Sequence, residues 1–339
     1  MSRIGVEPKP TWRSVPLGVR HRVEEVAGGR VRRGIRIWGG YAPSPTFRLI
    51  LEGGARLVFK GASPGPLENE HMSRALEAEE RVYRELARWM APWAPAFCGS
   101  FRESQWHVLL LEDLGRASVP PWTRPAIQQA MVGYAEFHRH SLGKELPDWL
   151  SRSRHHRFAH TWSELATEER GLESLAGLAG DRTREALEWT RSALSRMQTV
   201  AEGLVRVGPP DALLHFDTRS DNLRLLPGGG LRMFDWPYTC VGPPEIDVAA
   251  FAQSITCEGG PGPAEVLEPY ARHVPVREDA MDSAVAATAG YFAIQAWREP
   301  IPGLPRLRSV QRRQLKASLA WCARRLRLPT PDWLSAVAD

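Results

Sequence analysis

Cysteine, lysine and long apolar runs are all scarce in this 339-residue chain. The four cysteines, Cys98, Cys240, Cys257 and Cys322, stand without CxxC or Cys/His ligand spacing, which excludes a disulfide framework and a structural zinc site and predicts inert buried thiols. The longest mainly apolar stretch, 284–297, is about 14 residues, short of the ~18–20 that a membrane-spanning helix needs, and reads as a buried core helix. The N-terminus lacks a continuous apolar segment and neither end carries a lipidation motif, so a cytoplasmic chain with no membrane partner is expected. Lysine occurs only at positions 9, 60, 144 and 316 among 44 basic residues, so a lysine in an apolar setting calls for an explanation. What remains is ordinary globular material, 43% hydrophobic and 24% charged, which excludes disordered and fibrous classes. The net charge of +5 comes with 39 interleaved acidic residues, a solvated mixed surface that predicts no nucleic-acid partner.

The first hundred or so residues read as strands and hairpins around one helix. Residues 31–38 and 47–51 carry strand patterns, and Gly53-Gly54 makes a hairpin turn into a strand that ends at Lys60. A helix is predicted from about 67–73 to Met90, with Ala75, Leu76, Val82, Tyr83, Leu86 and Met90 on one face. At about 100° per residue Glu79 falls in the middle of that apolar stripe, while Glu77, Glu80 and Glu85 point away. The run WHVLLL at 106–111 reads as a buried strand ending in Glu112-Asp113-Leu114-Gly115. Two units are expected to meet here, 1–113 and 114–339. Beyond it the pattern turns helical: Thr123 caps one helix, and Thr161 with Glu164 forms a capping box opening another. Strand signals return once, at 222–226 and 231–234 around Pro227-Gly-Gly-Gly230.

The chemically informative segment is His215-Phe-Asp217-Thr-Arg219-Ser-Asp221-Asn222, followed by that hairpin and then Asp235-Trp236. Histidine, aspartate two residues on, asparagine five further, and a second aspartate after the hairpin make the arrangement phosphoryl transfer needs. Asp217, placed in an exposed loop, suits proton acceptance from a nucleophile. Asn222 and Asp235 offer hard oxygens for Mg2+ from the two ends of one hairpin. Lys60 supplies a cation for the phosphates from a separate strand, and Glu79 is the inward carboxylate available to hold it.

In this order the motifs resemble the aminoglycoside phosphotransferase family, the protein-kinase-like small-molecule kinases that include choline and fructosamine kinases. The matching segments are LVFK (57–60), LEAEERVYREL (76–86), LLLEDLG (109–115), YAEFHRH (134–140), LLHFDTRSDNL (213–223), MFDWP (233–237) and Asp247 within PEIDVAAF. The resemblance implies an α+β bilobal kinase-like fold, an N-lobe with an antiparallel sheet and one helix above a larger helical C-lobe. ATP would lie between them with Mg2+. It implies Asp217 as the catalytic aspartate, Asn222 and Asp235 as metal ligands, Lys60 on the α/β-phosphates held by Glu79, and the backbone of Glu112 to Leu114 as the adenine-receiving hinge. Asp247 would brace the catalytic loop together with His215, although a helix N-cap explains Asp247 equally well. Arg219 could reach the transferred phosphate, with a solvent-facing arginine as the simpler expectation.

Trp236-Pro237 stands where a protein kinase has Phe-Gly, and no Ala-Pro-Glu segment or GxGxxGxV loop is present, which argues against a protein kinase. Gly39 to Pro45 is a candidate phosphate-covering loop. His155, His156 and His160 are expected in a solvated loop, and the basic run 306–316 on a solvated helix face. The arginines near 152–157 and 298–313 suit a neutral or anionic small-molecule acceptor, such as a sugar, amino alcohol or antibiotic-like compound, better than a polycationic aminoglycoside. The alternative is a nucleotide-binding regulatory module that keeps this fold without turnover.

Overall fold

A computed structural model describes residues 9–38, 44–62 and 70–339. Residues 39–43 of the candidate phosphate-covering loop and the earliest start considered for the N-terminal helix lie outside them.

The N-terminal part is a five-stranded antiparallel sheet in the order β1-β2-β3-β5-β4. Its strands are β1 (Val31–Arg36), β2 (Thr46–Leu51), β3 (Arg56–Ala62), β4 (Phe97–Glu103) and β5 (Trp106–Glu112). The long apolar run of β5 follows from cover on both sides. Val108 and Leu110 join Phe47, Leu49 and Phe59 in a small core under α1 (Leu17–Ala27), which contributes Val19 and Val23. Leu109 and Leu111 face the other way, into the main core with Leu76, Val82 and Tyr83 of α2 (Glu70–Glu85). The sheet therefore has two covering helices rather than the one expected. α1 leaves little sequence signal because its apolar residues are sparse among charges, and it is closed by Gly28 in the left-handed region (φ 67°), whose N–H reaches Glu24 O. The second helix also ends earlier than its pattern suggested: α2 stops at Glu85, and Leu86 leads into the single turn α3 (Ala87–Met90).

Period-2 geometry on β3 sends Phe59 toward α1 and its neighbour Lys60 to the opposite face, where α2 presents Glu79. This register, Thr46↔Lys60 and Lys60↔Leu109, fixes the lysine in the middle of the sheet.

Helices dominate the C-terminal part: α4 (Arg124–Ser141), α5 (Arg154–Ala159), α6 (Thr161–Thr167), α7 (Gly171–Gly177) and α8 (Thr183–Glu202). After two small two-stranded sheets come α9 (Glu245–Cys257), α10 (Pro263–Ala271), α11 (Glu278–Gln295) and α12 (Leu307–Arg325). Thr123 caps α4 as expected, its hydroxyl accepting from Ala126 N. The capping box does not form: Thr161 Oγ1 donates to Phe158 O and Ala287 O instead, because α6 is docked against α11. α11 is buried nearly all round between α6, α8, α9 and α12, as its apolar composition requires.

The two small sheets position the chemistry. β6 (Ala212–Leu214) pairs with β9 (Cys240–Gly242), and β7 (Leu223–Leu225) pairs with β8 (Leu231–Met233). Residues 215–222 therefore leave the β6–β9 ladder and enter the β7–β8 hairpin, and 234–239 return. Among the described residues no helix is long and apolar enough to cross a membrane.

Several local expectations are corrected. Cys98 is exposed rather than buried, since it lies on the edge strand β4. His155 is buried on α5, not solvated, and its burial lowers its pKa to about 4. The 306–316 run is not an outer face: Gln311, Gln314 and Leu315 are buried, and Leu307 and Gln314 line the central cleft.

Candidate active site

A cleft of about 1130 Å³ separates the sheet from the helical part. All ten residues picked out from the sequence map to it or to its support. Lys60, Glu79, Glu112, Leu114, Asp217, Arg219, Asn222, Asp235 and Asp247 line it, and His215 sits directly beneath.

Lys60 bridges the two sides. Its Nζ donates to Glu79 Oε2 and, at 2.9 Å, to Asp235 Oδ1. Burial pulls the ammonium's pKa down, but the Asp235 and Glu79 carboxylates outweigh it and the net shift is upward. Asp235 moves the other way for the same reason: burial opposes ionisation, yet Lys60 holds its carboxyl below the usual aspartate range.

Asp217 is only a quarter exposed, not in the open loop anticipated. Asn222 Nδ2 donates to its Oδ2 and to its backbone carbonyl, each at 2.9 Å. Arg219 is drawn in as well, with Nε 3.2 Å from Asp217 Oδ1 and 3.4 Å from Asp221 Oδ1, so the solvent-facing expectation is overturned by two carboxylates within reach. Burial raises the Asp217 pKa and Arg219 partly counters it.

His215 acts as a strut. It accepts the Asp217 N–H at Nδ1 (3.3 Å), so the proton is on Nε2, 3.1 Å from Phe234 O. Burial lowers its pKa and favours this neutral form. Asp247 carries the other end of the loop. Its carboxylate accepts from His215 N (2.7 Å), Phe216 N (2.9 Å) and His138 Nε2 (3.3 Å), and Thr218 Oγ1 donates to its carbonyl at 3.0 Å. Asp247 lies in the first turn of α9, not at its N-cap, which decides between the two readings of this residue. Phe216 and Asp235 both adopt left-handed backbone conformations, at φ 66° and 70°, held there by these contacts and by the β7–β8 hairpin.

The segment expected as the hinge is tied down by hydrogen bonds. Glu112 donates its N–H to Ala96 O at 2.9 Å and accepts Ala96 N at its side chain. Asp113 accepts from Arg48 Nε at 2.6 Å and from Gly115 N at 3.0 Å, while Arg48 also donates to Gly115 O.

No cluster of three or more His, Cys, Asp or Glu among the described residues could enclose a metal ion. The Asp235 carboxylate and the Asn222 amide, whose NH2 is turned to Asp217, are hard oxygen donors from two sides of one hairpin. Such a sparse set suits Mg2+, which completes its shell with water and phosphate oxygens.

A profile of the phosphotransferase enzyme family matches residues 34–278. The chain belongs to this family. Solved structures agree on the fold across nearly the whole length. An aminoglycoside phosphotransferase from Alicyclobacillus acidocaldarius is 14% identical, covering 88% of this chain and 92% of its own, with a TM-score of 0.57. The AMP-bound complex of a spectinomycin phosphotransferase (11% identity, 88% and 93% coverage) gives 0.60. A choline kinase from Streptococcus pneumoniae (13%, 89% and 97%) gives 0.52. A search of curated protein sequences finds no match. The bilobal kinase-like architecture inferred from the motifs is thus the architecture of this phosphotransferase family member.

The sequence reading assigned no role to four residues around this centre. His138 lies in the YAEFHRH segment and joins Tyr270 OH (2.9 Å) to Asp247. Glu258 accepts from Ser220 Oγ (2.5 Å) and Trp122 Nε1 (2.7 Å), fixing the turn at 220–222. Tyr238 and Tyr291 line the cleft near Asp217; burial, with the Asp217 charge adding, raises the Tyr238 phenol to about 12. Tyr291 was hidden in a helix that reads as core, and Glu258 is remote in sequence from what it holds.

Proposed function

We propose that this phosphotransferase is an ATP-dependent kinase of a small-molecule alcohol, with residues 1–113 as its nucleotide-binding lobe and 114–339 as its catalytic and acceptor-binding lobe. The observation that carries the reading is the convergence, in one cleft, of the Lys60–Glu79–Asp235 cluster and the Asp217–Asn222–Arg219 cluster. Lys60, oriented by Glu79, neutralises the α/β-phosphates, and the Glu112 to Leu114 backbone receives the base. Asn222 and Asp235 would hold Mg2+. When bound, the ion offsets charge on the bridging phosphate oxygens.

Asp217 accepts the proton of the acceptor hydroxyl as its oxygen bonds to the γ-phosphorus, and the bond to the departing ADP oxygen breaks. Arg219 lies beside Asp217, where it can contact the transferred group. His215 and Asp247 set the loop's conformation and touch no substrate. Arg154 and Arg157 on the acceptor side favour a neutral or anionic acceptor, such as a sugar, amino alcohol or antibiotic-like compound, over a polycationic aminoglycoside. A cytoplasmic enzyme acting on small molecules alone fits this reading.

The test is ADP release from Mg-ATP across sugars, amino alcohols, aminoglycosides and macrolides, run beside Asp217→Asn protein. Turnover lost in the variant supports the reading. Binding of Mg-ATP without turnover would mean either that the acceptor lies outside this panel or that the chain is a nucleotide-binding module, and robust kanamycin phosphorylation at micromolar concentration would overturn the charge argument.

A further inference from the structure

The acceptor side of the cleft carries features that phosphoryl transfer does not use. Its wall is aromatic. The Phe158 ring lies 5.6 Å from Phe216 and 6.0 Å from Tyr291, centroid to centroid. Among the described residues four large apolar side chains are left exposed, and two of them, Tyr291 (39%) and Ile301 (41%), line this cleft. Apolar surface gathered inside a concave site, rather than scattered over the exterior, is the mark of a surface that a ligand covers.

The charge on the same side is positive. Arg154 and Arg157 project from one short helix, α5, and both line the cleft. Arg154 lies 5.8 Å from the centre of the Tyr238 ring, and its Nε is buried without a hydrogen-bond partner. Neither arginine forms an ion pair among the described residues, whereas Arg298 nearby is committed to Glu168 through two hydrogen bonds. Arg308 adds positive charge beside Tyr291. Outside the transfer machinery, the cleft is also lined by the carboxylates Asp113, Glu164 and Asp221. A buried guanidinium donor without a partner is costly, and an anion satisfies it in the two-pronged geometry that arginine favours.

Simpler acceptors fall short of this. A polyamine meets two unpaired guanidinium groups, and a neutral carbohydrate brings no anion to Arg154. We propose that the acceptor is a hydroxyl compound with an aromatic or similarly flat apolar body and one anionic group, its ring against Phe158, Phe216 and Tyr291 and its anion on Arg154 and Arg157. This rests on the phosphotransfer function proposed above and names the substrate class of that site.

Three alcohols of matched shape test it: 4-(hydroxymethyl)benzoate, benzyl alcohol and 4-(aminomethyl)benzyl alcohol, with charges of −1, 0 and +1. Binding by calorimetry and ADP release from Mg-ATP are measured with the full chain, and Mg-ATP affinity is measured separately. The benzoate is expected to bind at least tenfold more tightly than the amine, with the neutral alcohol between. Arg154→Gln/Arg157→Gln protein should bring the three within about twofold, and Arg154→Lys/Arg157→Lys should keep part of the preference, with melting temperatures reporting that each variant is folded. No binding of the benzoate, an equal or reversed charge order, or a preference that survives the glutamine variant overturns the inference. Failure of the wild-type chain to bind Mg-ATP overturns the phosphotransfer reading itself.

Discussion

Asp247 and His215, 32 residues apart, are joined by a 2.7 Å hydrogen bond from the His215 backbone N–H to a carboxylate oxygen with no exposure to solvent. The same carboxylate holds Phe216 N and His138, so one side chain fixes both the start of the loop and its anchorage to α4. Asp247→Ala leaves these donors buried without partners, and a loss of about 2–4 kcal/mol is expected. A lower urea midpoint at unchanged slope checks it.

Asp217→Asn removes the proton acceptor while keeping the side chain's shape. On the proposed mechanism kcat falls by about 10²–10⁴, the range a positioned general base supplies. Mg-ATP affinity should stay within a fewfold of wild type, measured by calorimetry, because Asn222 and Asp235 are intact.

Lys60→Met strands Glu79 inside the protein. Breaking one partner of a largely buried pair costs about 2–4 kcal/mol, discounted here because a fifth of the Lys60 side chain is exposed. Adding Glu79→Gln removes the stranded charge, so the double variant should be more stable than Lys60→Met alone, by thermal unfolding, although neither restores activity.

The acid limb of the pH–rate profile should lie above the ordinary aspartate value, since burial raises the Asp217 pKa and activity needs its ionised form. Arg219 opposes that rise. Arg219→Gln should therefore move the limb to higher pH. A limb that stays in place or moves down would show that Arg219 does not govern this carboxylate.

Stability should fall as pH drops below about 6.5. His155 takes up its proton at the ordinary value when unfolded but only near pH 4 when folded, so between those values the unfolded chain binds more protons and is favoured as pH falls. His215 is shifted in the same direction. His155→Gln should flatten the decline in melting temperature over pH 6.5–4 without abolishing it.

The parts of the site legible in the sequence were those tied to short-range periodicity or fixed spacing. Glu79 announced itself by breaking an apolar stripe, Lys60 by its position at the end of a strand, and the pair Asn222 and Asp235 by straddling a hairpin. What stayed hidden depends on approach between distant segments. α1 carries too few apolar residues to read as a sheet cover until Phe47 and Phe59 are seen beneath it. Thr161 looks like a cap until α11 offers it a carbonyl. Arg219 reads as solvated until the turn at 220–222 folds Asp217 and Asp221 around it.

Phe216 and Asp235 occupy backbone conformations that cost most residues about 1 kcal/mol or more and cost glycine almost nothing. Backbone strain alone would prefer glycine at both, yet Phe216 packs against the main core and forms part of the aromatic wall, and Asp235 supplies a carboxylate facing Lys60. At these two positions the chain holds a costly backbone for the sake of what the side chains do.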